Sequence, residues 1–202
     1  MSMRTPAVVV SLLLLMLSAP SSRAQTAPLP MQIGSLQWHL AGAVGGGAGA
    51  GSLSCTACAD GTGGGAAGFA RFGGAYGSQL IVSAQLDWWS STRRHSFQNT
   101  ELTLRSTNIV VHWFPSTEKR WFAAAGFGHG TAKFRSTAPG DESASAQGVS
   151  YQLGGGYEIP LNLHLALTPY ASYLATPGGR ITNSQDRLSG SLLQGGVALA
   201  WR

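Results

Sequence analysis

Charge is scarce in this chain: only 10% of its 202 residues are Asp, Glu, Lys or Arg. Soluble domains average about 25%, so an ordinary well-solvated surface is a poor description. Long apolar runs are missing too. No stretch of ~18 residues could cross a membrane as a helix. Cysteine is limited to Cys55 and Cys58, in the Gly-rich run around CTAC. Zinc would need two further ligands nearby, and a thioredoxin-like redox pair would need a βαβ setting that the pattern lacks. The net charge is +5, but the basic residues are scattered and form no nucleic-acid footprint. No cofactor motif is present. Glycine, by contrast, is abundant, at 28 of 202 residues.

The N-terminus reads as an export signal. Arg4 supplies the positive region, Ala7 to Leu17 the apolar run, and Ser22-Arg23-Ala24 the small-x-small cleavage site. Residues 1–24 are therefore expected to be removed as a signal peptide, and no cysteine follows the cut to carry a lipid anchor. Cleavage takes Arg4 and Arg23 from the 13 basic residues, so the balance against 8 acidic ones falls from +5 to +3. Residues 25–34 form a Pro-containing leader, and 35–202 one domain. In an oxidising compartment Cys55 and Cys58 are first expected to form a disulfide, with free thiols and metal or redox chemistry as alternatives.

Within 35–202 the hydropathy alternates with a period of two. Leu193, Gly195, Val197, Leu199 and Trp201 share one face of the last segment, and Gln194, Gly196, Ala198 and Ala200 the other. Leu80, Val82, Ala84, Leu86 and Trp88 stand likewise against Ser83, Gln85 and Asp87. The small and polar faces cannot build a core for the bulky ones. The economical arrangement is inside-out, with lipid on the apolar face and a polar interior. Eight strands are expected: Ser35–Gly45, Ala66–Tyr76, Leu80–Ser90, Thr100–Phe114, Arg120–Arg135, Gly148–Ile159, Leu163–Leu174 and Arg187–Arg202. Loops are expected over Gly46–Gly65, Ser91–Asn99, Ser136–Gln147 and Thr176–Asp186. Leu102 and Leu104 have the wrong parity for their strand, which a bulge or an exit from the bilayer would explain. Phe122 also breaks the alternation. Trp38, Trp113, Trp121, Tyr157 and Trp201 near one end, and Trp88 near the other, read as interfacial girdles. A soluble lipocalin-like barrel would place its large residues inside.

The whole of 35–202 resembles the small eight-stranded outer-membrane β-barrels of the OmpA transmembrane-domain and OmpX type. GGGYEIPLNLHLALTPYASYL and the terminal GGVALAWR carry the likeness. The resemblance implies an all-β, antiparallel up-and-down transmembrane barrel in a bacterial outer membrane. Its termini would be periplasmic and its loops extracellular. Such barrels are delivered by periplasmic chaperones to the barrel-assembly machinery. Val197, Leu199 and Trp201 would be the terminal assembly signal, with Arg202 a departure from the usual final aromatic. The family includes structural, adhesion and defence proteins and some lipid-modifying enzymes; the expectation is a monomeric, non-enzymatic surface protein whose external ligand is unspecified, with a lipid A-modifying hydrolase and a narrow pore as the alternatives.

Five inward residues, Arg71, Asp87, His112, Glu158 and His164, are expected to form a polar network that plugs the lumen. A gated narrow pore and lumenal catalysis are the alternatives. Arg71 and Asp87 lie on neighbouring strands and should share one network. On the outward face His129 and Thr131, with Glu142, are similar to the His-x-Ser plus Glu arrangement of lipid A deacylases, Thr131 standing where the serine would be. Lys133 and Arg135 share the parity of His129 and should face lipopolysaccharide phosphates at headgroup height. Arg93, Arg94, Arg180 and Arg187 are expected at the same level.

Overall fold

The computed structural model describes residues 38–55, 61–95, 98–116, 120–136, 143–181 and 187–202. Among them run β1 (Trp38–Cys55), β2 (Gly61–Tyr76), β3 (Leu80–His95), β4 (Gln98–Trp113), β5 (Trp121–Ser136), β6 (Ser143–Tyr157), β7 (Ile159–Pro160), β8 (Leu165–Ile181) and β9 (Arg187–Trp201). Each pairs antiparallel with its neighbours. β1 also pairs with β9, and β6 with β8, which closes the sheet on itself. The short β7 continues β6 beyond Glu158 and lies on the same partner, β8. β6 and β7 together thus make one of eight barrel strands. The signal peptide, the leader, Cys58 and Glu142 lie outside the described residues, as do the side chains of Cys55, Arg93, Arg94, Arg180 and Arg187.

The long strands run 15 to 18 residues, further than alternation alone suggests. Most of Gly46–Gly65 is strand, with Gly47 opposite Ala67 and Gly49 opposite Gly65. Glycine carries no side chain, so this ladder leaves no hydropathy alternation to read. Most of Ser91–Asn99 belongs to β3 and β4, and much of the two later expected loops to β5, β6 and β8. Only 56–60, 96–97, 137–142 and 182–186 separate the strands at the end distant from the chain termini.

That distal end has a different polarity from the rest. Near the terminal end, bulky outward residues such as Leu40, Phe72, Ile109, Phe127, Leu153 and Leu199 are exposed, and most inward ones above the mouth are polar or small. Higher up, the outward series turns polar: Ile109 gives way to Thr107, Phe127 to His129, Val149 to Gln147 and Leu193 to Ser191. There the inward series turns apolar. Leu53, Trp89, Leu102, Leu104, Leu174, Leu188 and Leu192 are buried in a single cluster with Ala67, Ala132 and Ala146. The apolar outer series runs over Trp113–Ile109 on β4, Trp121–Phe127 on β5, Tyr157–Val149 on β6 and Trp201–Leu193 on β9. At ~3.3 Å per residue and a ~40° tilt the longer of these rise about 23 Å, close to the height of the apolar band on transmembrane barrels. The distal third is built like a soluble barrel.

This inversion corrects the reading of the inner faces as uniformly small and polar, and it explains Leu102 and Leu104. The β3–β4 ladder is unbroken through Trp89↔Leu104 and Ser91↔Leu102. No bulge exists there; both leucines face inward because the interior has become apolar. The register shift falls instead in β8, between Thr176 and Gly179, where Gly178 has a φ of 64°. Phe122 is also an inward residue. It packs with Ala41, Ala75, Ile81 and Phe114 in a second apolar layer at the terminal mouth. On that side Gly77 (φ 62°) takes the left-handed conformation in the turn between β2 and β3.

Candidate functional site

Between the two apolar layers the interior is polar. Asp87, 3% exposed, is its centre. Oδ1 accepts from Gln85 Nε2 at 2.8 Å, Gln194 Nε2 at 3.2 Å and Gln152 Nε2 at 3.5 Å. Oδ2 accepts from Ser106 Oγ and Asn108 Nδ2, both at 3.4 Å. Gln194 also donates to Ser172 Oγ at 3.0 Å, and Ser150 donates to Asn108 Oδ1. Side chains from β3, β4, β6 and β9 thus replace the water that a carboxylate would otherwise hold. Among the described residues Asp87 has no ion-pair partner.

Arg71 lies one step nearer the terminal mouth. Its Nη1 donates to His112 Nε2 at 2.5 Å, and its guanidinium carbon lies 5.6 and 5.7 Å from the ring centres of Phe69 and Phe122. The β2–β3 register places Phe69 opposite Asp87 and Arg71 opposite Gln85. Arg71 and Asp87 therefore sit in successive interior layers, with no direct hydrogen bond or ion pair between them. A cavity of about 20 Å³ touches Arg71, Gln85, His112, Gln152, Thr168 and Tyr170, room for roughly one water molecule.

Glu158 is buried at the terminal mouth, where its Oε2 meets Arg202 Nη2 at 2.5 Å. Arg202 also lies over the Phe114 ring at 5.1 Å. His164 is not among the interior residues. It is exposed in the turn before β8, where its backbone N–H donates to Asn162 Oδ1 at 2.8 Å. Residues 161–164 are exposed bends outside the strands, so alternation counted from Leu163 does not apply to them.

The outer wall carries the other candidates. Cross-strand rows over β3, β4 and β5 run Leu86–Thr107–His129, Trp88–Arg105–Thr131, Ser90–Thr103–Lys133 and Thr92–Glu101–Arg135. His129, Lys133, Arg135 and Arg105 are exposed on this face. A shallow groove of about 470 Å³ is lined by Leu86, Trp88, Arg105, Thr107, His129 and Thr131, among others. Arg105 is the functional candidate that sequence reasoning missed. Its signal was available, since it shares the parity of Ile109 and Val111. Thr131 follows His129 on this face, while Glu142 lies outside the described residues. Val197, Leu199 and Trp201 are exposed on the wall of β9, and the Trp201 indole covers Gly42, where any Cβ would strike it. Among the described residues no three His, Cys, Asp or Glu side chains gather as a metal site would require.

A closed ring of eight antiparallel strands with an exposed apolar belt defines the class: the fold is that of the small eight-stranded outer-membrane β-barrels. Among solved structures it is similar to Ail, the attachment invasion locus protein of Yersinia pestis, with 11% identity and a TM-score of 0.52 over 78% of this chain and 97% of that one. It is also similar to Neisserial surface protein A, with 15% identity and a TM-score of 0.49 over 79% and 97%. At such identities the likeness concerns the fold alone. No protein-family pattern matches the chain, and no curated protein does.

Proposed function

We propose that the protein is an integral outer-membrane barrel of the structural or surface-interaction type, with a closed bore. Its chain termini face the periplasm and its distal third stands above the outer leaflet. The observation that carries this reading is the inversion of polarity along the strands. A belt of exposed apolar side chains ends partway along β3, β4, β5, β6 and β9, and the same strands then enclose a buried apolar cluster. The first part suits lipid and the second suits water, so each strand passes from one into the other.

Three successive fillings support the closed bore: Ile81, Phe114 and Phe122 at the terminal mouth, the Asp87 hydrogen-bond network at mid-height, and Trp89 with its leucines above. Eight strands enclose only enough room for side chains, and here the side chains are large. Lys133 and Arg135 would stand at the rim, at the level of the lipopolysaccharide phosphates. Delivery would use periplasmic chaperones and the barrel-assembly machinery, with Val197, Leu199 and Trp201 as the terminal signal.

Detergent-refolded protein tests the reading. On gels the unboiled sample should migrate differently from the boiled one, and the refolded protein should insert into planar bilayers without opening conducting steps. Unchanged mobility on boiling would remove the barrel assignment. Stepwise conductance from the inserted protein would remove the closed bore and leave a narrow pore.

A further inference from the structure

We propose that the groove on the outer wall of β3, β4 and β5 binds the phosphorylated sugar headgroup of a glycolipid of the lipopolysaccharide type, with Arg105 and Lys133 holding one phosphate and Trp88 supporting the sugar. The proposal rests on the outer-membrane reading above and names the residues and the ligand chemistry of the rim.

Height is the first argument. On β4 and β5 the wall turns polar at the row Leu86–Thr107–His129, and on β3 it does so after Trp88. The next row up, Trp88–Arg105–Thr131, lies at the level where the headgroups of the outer leaflet begin. Trp88 is 42% exposed there. An indole at this level presents an apolar face and one polar edge, the combination that places tryptophan at membrane interfaces. A sugar ring offers its C–H face to such a surface.

Charge is the second. The ladder pairs Arg105 with Thr131 and Thr103 with Lys133, so Arg105 and Lys133 are diagonal neighbours on one face. Diagonal Cα atoms stand about 7–8 Å apart, and both side chains are long enough to converge on a single phosphate. Arg135 has a different neighbour. Glu101 is directly opposite it and offsets its charge. Arg105 has only Trp88 and Thr131 beside it in its row. Glu101 stands diagonal to Lys133 as well, so Arg105 is the cation on this wall with no carboxylate directly opposite or diagonal to it among the described residues, and Lys133 lies beside it. A guanidinium can grip a phosphate with two parallel hydrogen bonds, whereas an ammonium contributes a point charge. His129, one row below, borders the same groove.

Shape is the third. The groove's volume, about 470 Å³, falls within the ~300–1,000 Å³ typical of small-ligand sites. Its lining combines one cation, an aromatic face and the hydroxyls of Thr107 and Thr131. A bare phosphate would use only the cations; a phosphorylated sugar uses all three.

The experiment refolds wild type, Arg105→Ala, Arg105→Lys and Arg135→Ala into phosphatidylglycerol vesicles. Lipopolysaccharide or enzymatically dephosphorylated lipopolysaccharide is then titrated in, and the unfolding midpoint is followed on unboiled gels. Lipopolysaccharide should raise the wild-type midpoint, and the dephosphorylated form should not. Arg105→Ala should weaken the apparent affinity about tenfold, or ~1.4 kcal/mol, Arg105→Lys should restore part of it, and Arg135→Ala should change it little. Equal shifts in wild type and Arg105→Ala, or equal shifts with and without phosphate, would overturn the proposal and leave a wet rim. Failure of the wild type to insert into any vesicle would instead remove the membrane reading on which it rests.

Discussion

Trp89 gives the most direct measure of whether the distal barrel has a dry interior. It is 1% exposed, its Nε1 donates to the carbonyl of Gly49 at 3.2 Å, and it packs in the cluster that contains Leu102, Leu104 and Leu192. The indole fits because Gly51 leaves room: a Cβ at Gly51 would come within 2.7 Å of the ring. A buried tryptophan removes roughly 200 Å² or more from water, worth about 5 kcal/mol at ~25 cal/mol per Å². The unfolded chain already buries part of that area, so Trp89→Ala should cost about 3–5 kcal/mol, in line with large-to-small changes in soluble cores. Trp89→Phe should cost less, about 1–2 kcal/mol, chiefly from leaving the Gly49 carbonyl without its donor. Gly51→Val attacks the same contact from the other side and should cost about 1–3 kcal/mol through overpacking. Urea unfolding of detergent-refolded protein, with the folded fraction read on unboiled gels, measures all three. If Trp89→Ala unfolds within ~1 kcal/mol of wild type, the indole already meets water in the bore, and the claim of a dry distal core fails.

Three further outcomes follow from the interior and the loops. Asp87→Ala removes the shared acceptor of five donors and should destabilise by about 1–3 kcal/mol in the same urea assay, while wild-type stability would mean the network is solvated. Because Arg71 bonds His112 and not Asp87, a double-mutant cycle of Arg71→Ala and Asp87→Ala should give a coupling below about 0.5 kcal/mol, and a much larger value would reveal a direct pair. Cys55 and Cys58 are expected to form a disulfide on the extracellular side. It closes so short a loop that it should rigidify the tip more than stabilise the barrel. Strong maleimide labelling of unreduced intact cells would show free thiols instead.

How far the fold could be read from the sequence depends on what surrounds each strand. From Leu80 to Trp88 the outside is apolar and the inside polar, so alternation marks the strand and both of its faces. In β4 the same rule works from Trp113 down to Asn108 and then fails at Leu104 and Leu102. The backbone period is unbroken; the environments have changed places. A reading that assigns one solvent to each face for a strand's whole length must take that inversion for a bulge or a loop. Gly46 to Gly65 fails for a different reason, because residues without side chains have no hydropathy to alternate and only the ladder to the neighbouring strand identifies them.

The site divides along similar lines. That Arg71 and Asp87 point inward follows from parity, and their separation into different layers was open to counting. A turn centred on Ser78 puts Arg71, seven residues before it, opposite Gln85, seven after it, and moves Asp87 level with Phe69. Arg105 was equally open to parity once β4 is taken as one continuous strand. Two of the five partners of Asp87 were not. Gln152 and Gln194 reach it from β6 and β9, across a bore whose stagger is set by the closure of the whole barrel and not by any single hairpin. A carboxylate that looks from sequence as though it needs a cation is instead satisfied by amides drawn from distant strands. Local spacing cannot reveal that, because hydrogen bonds across a closed barrel join residues related only by the circumference.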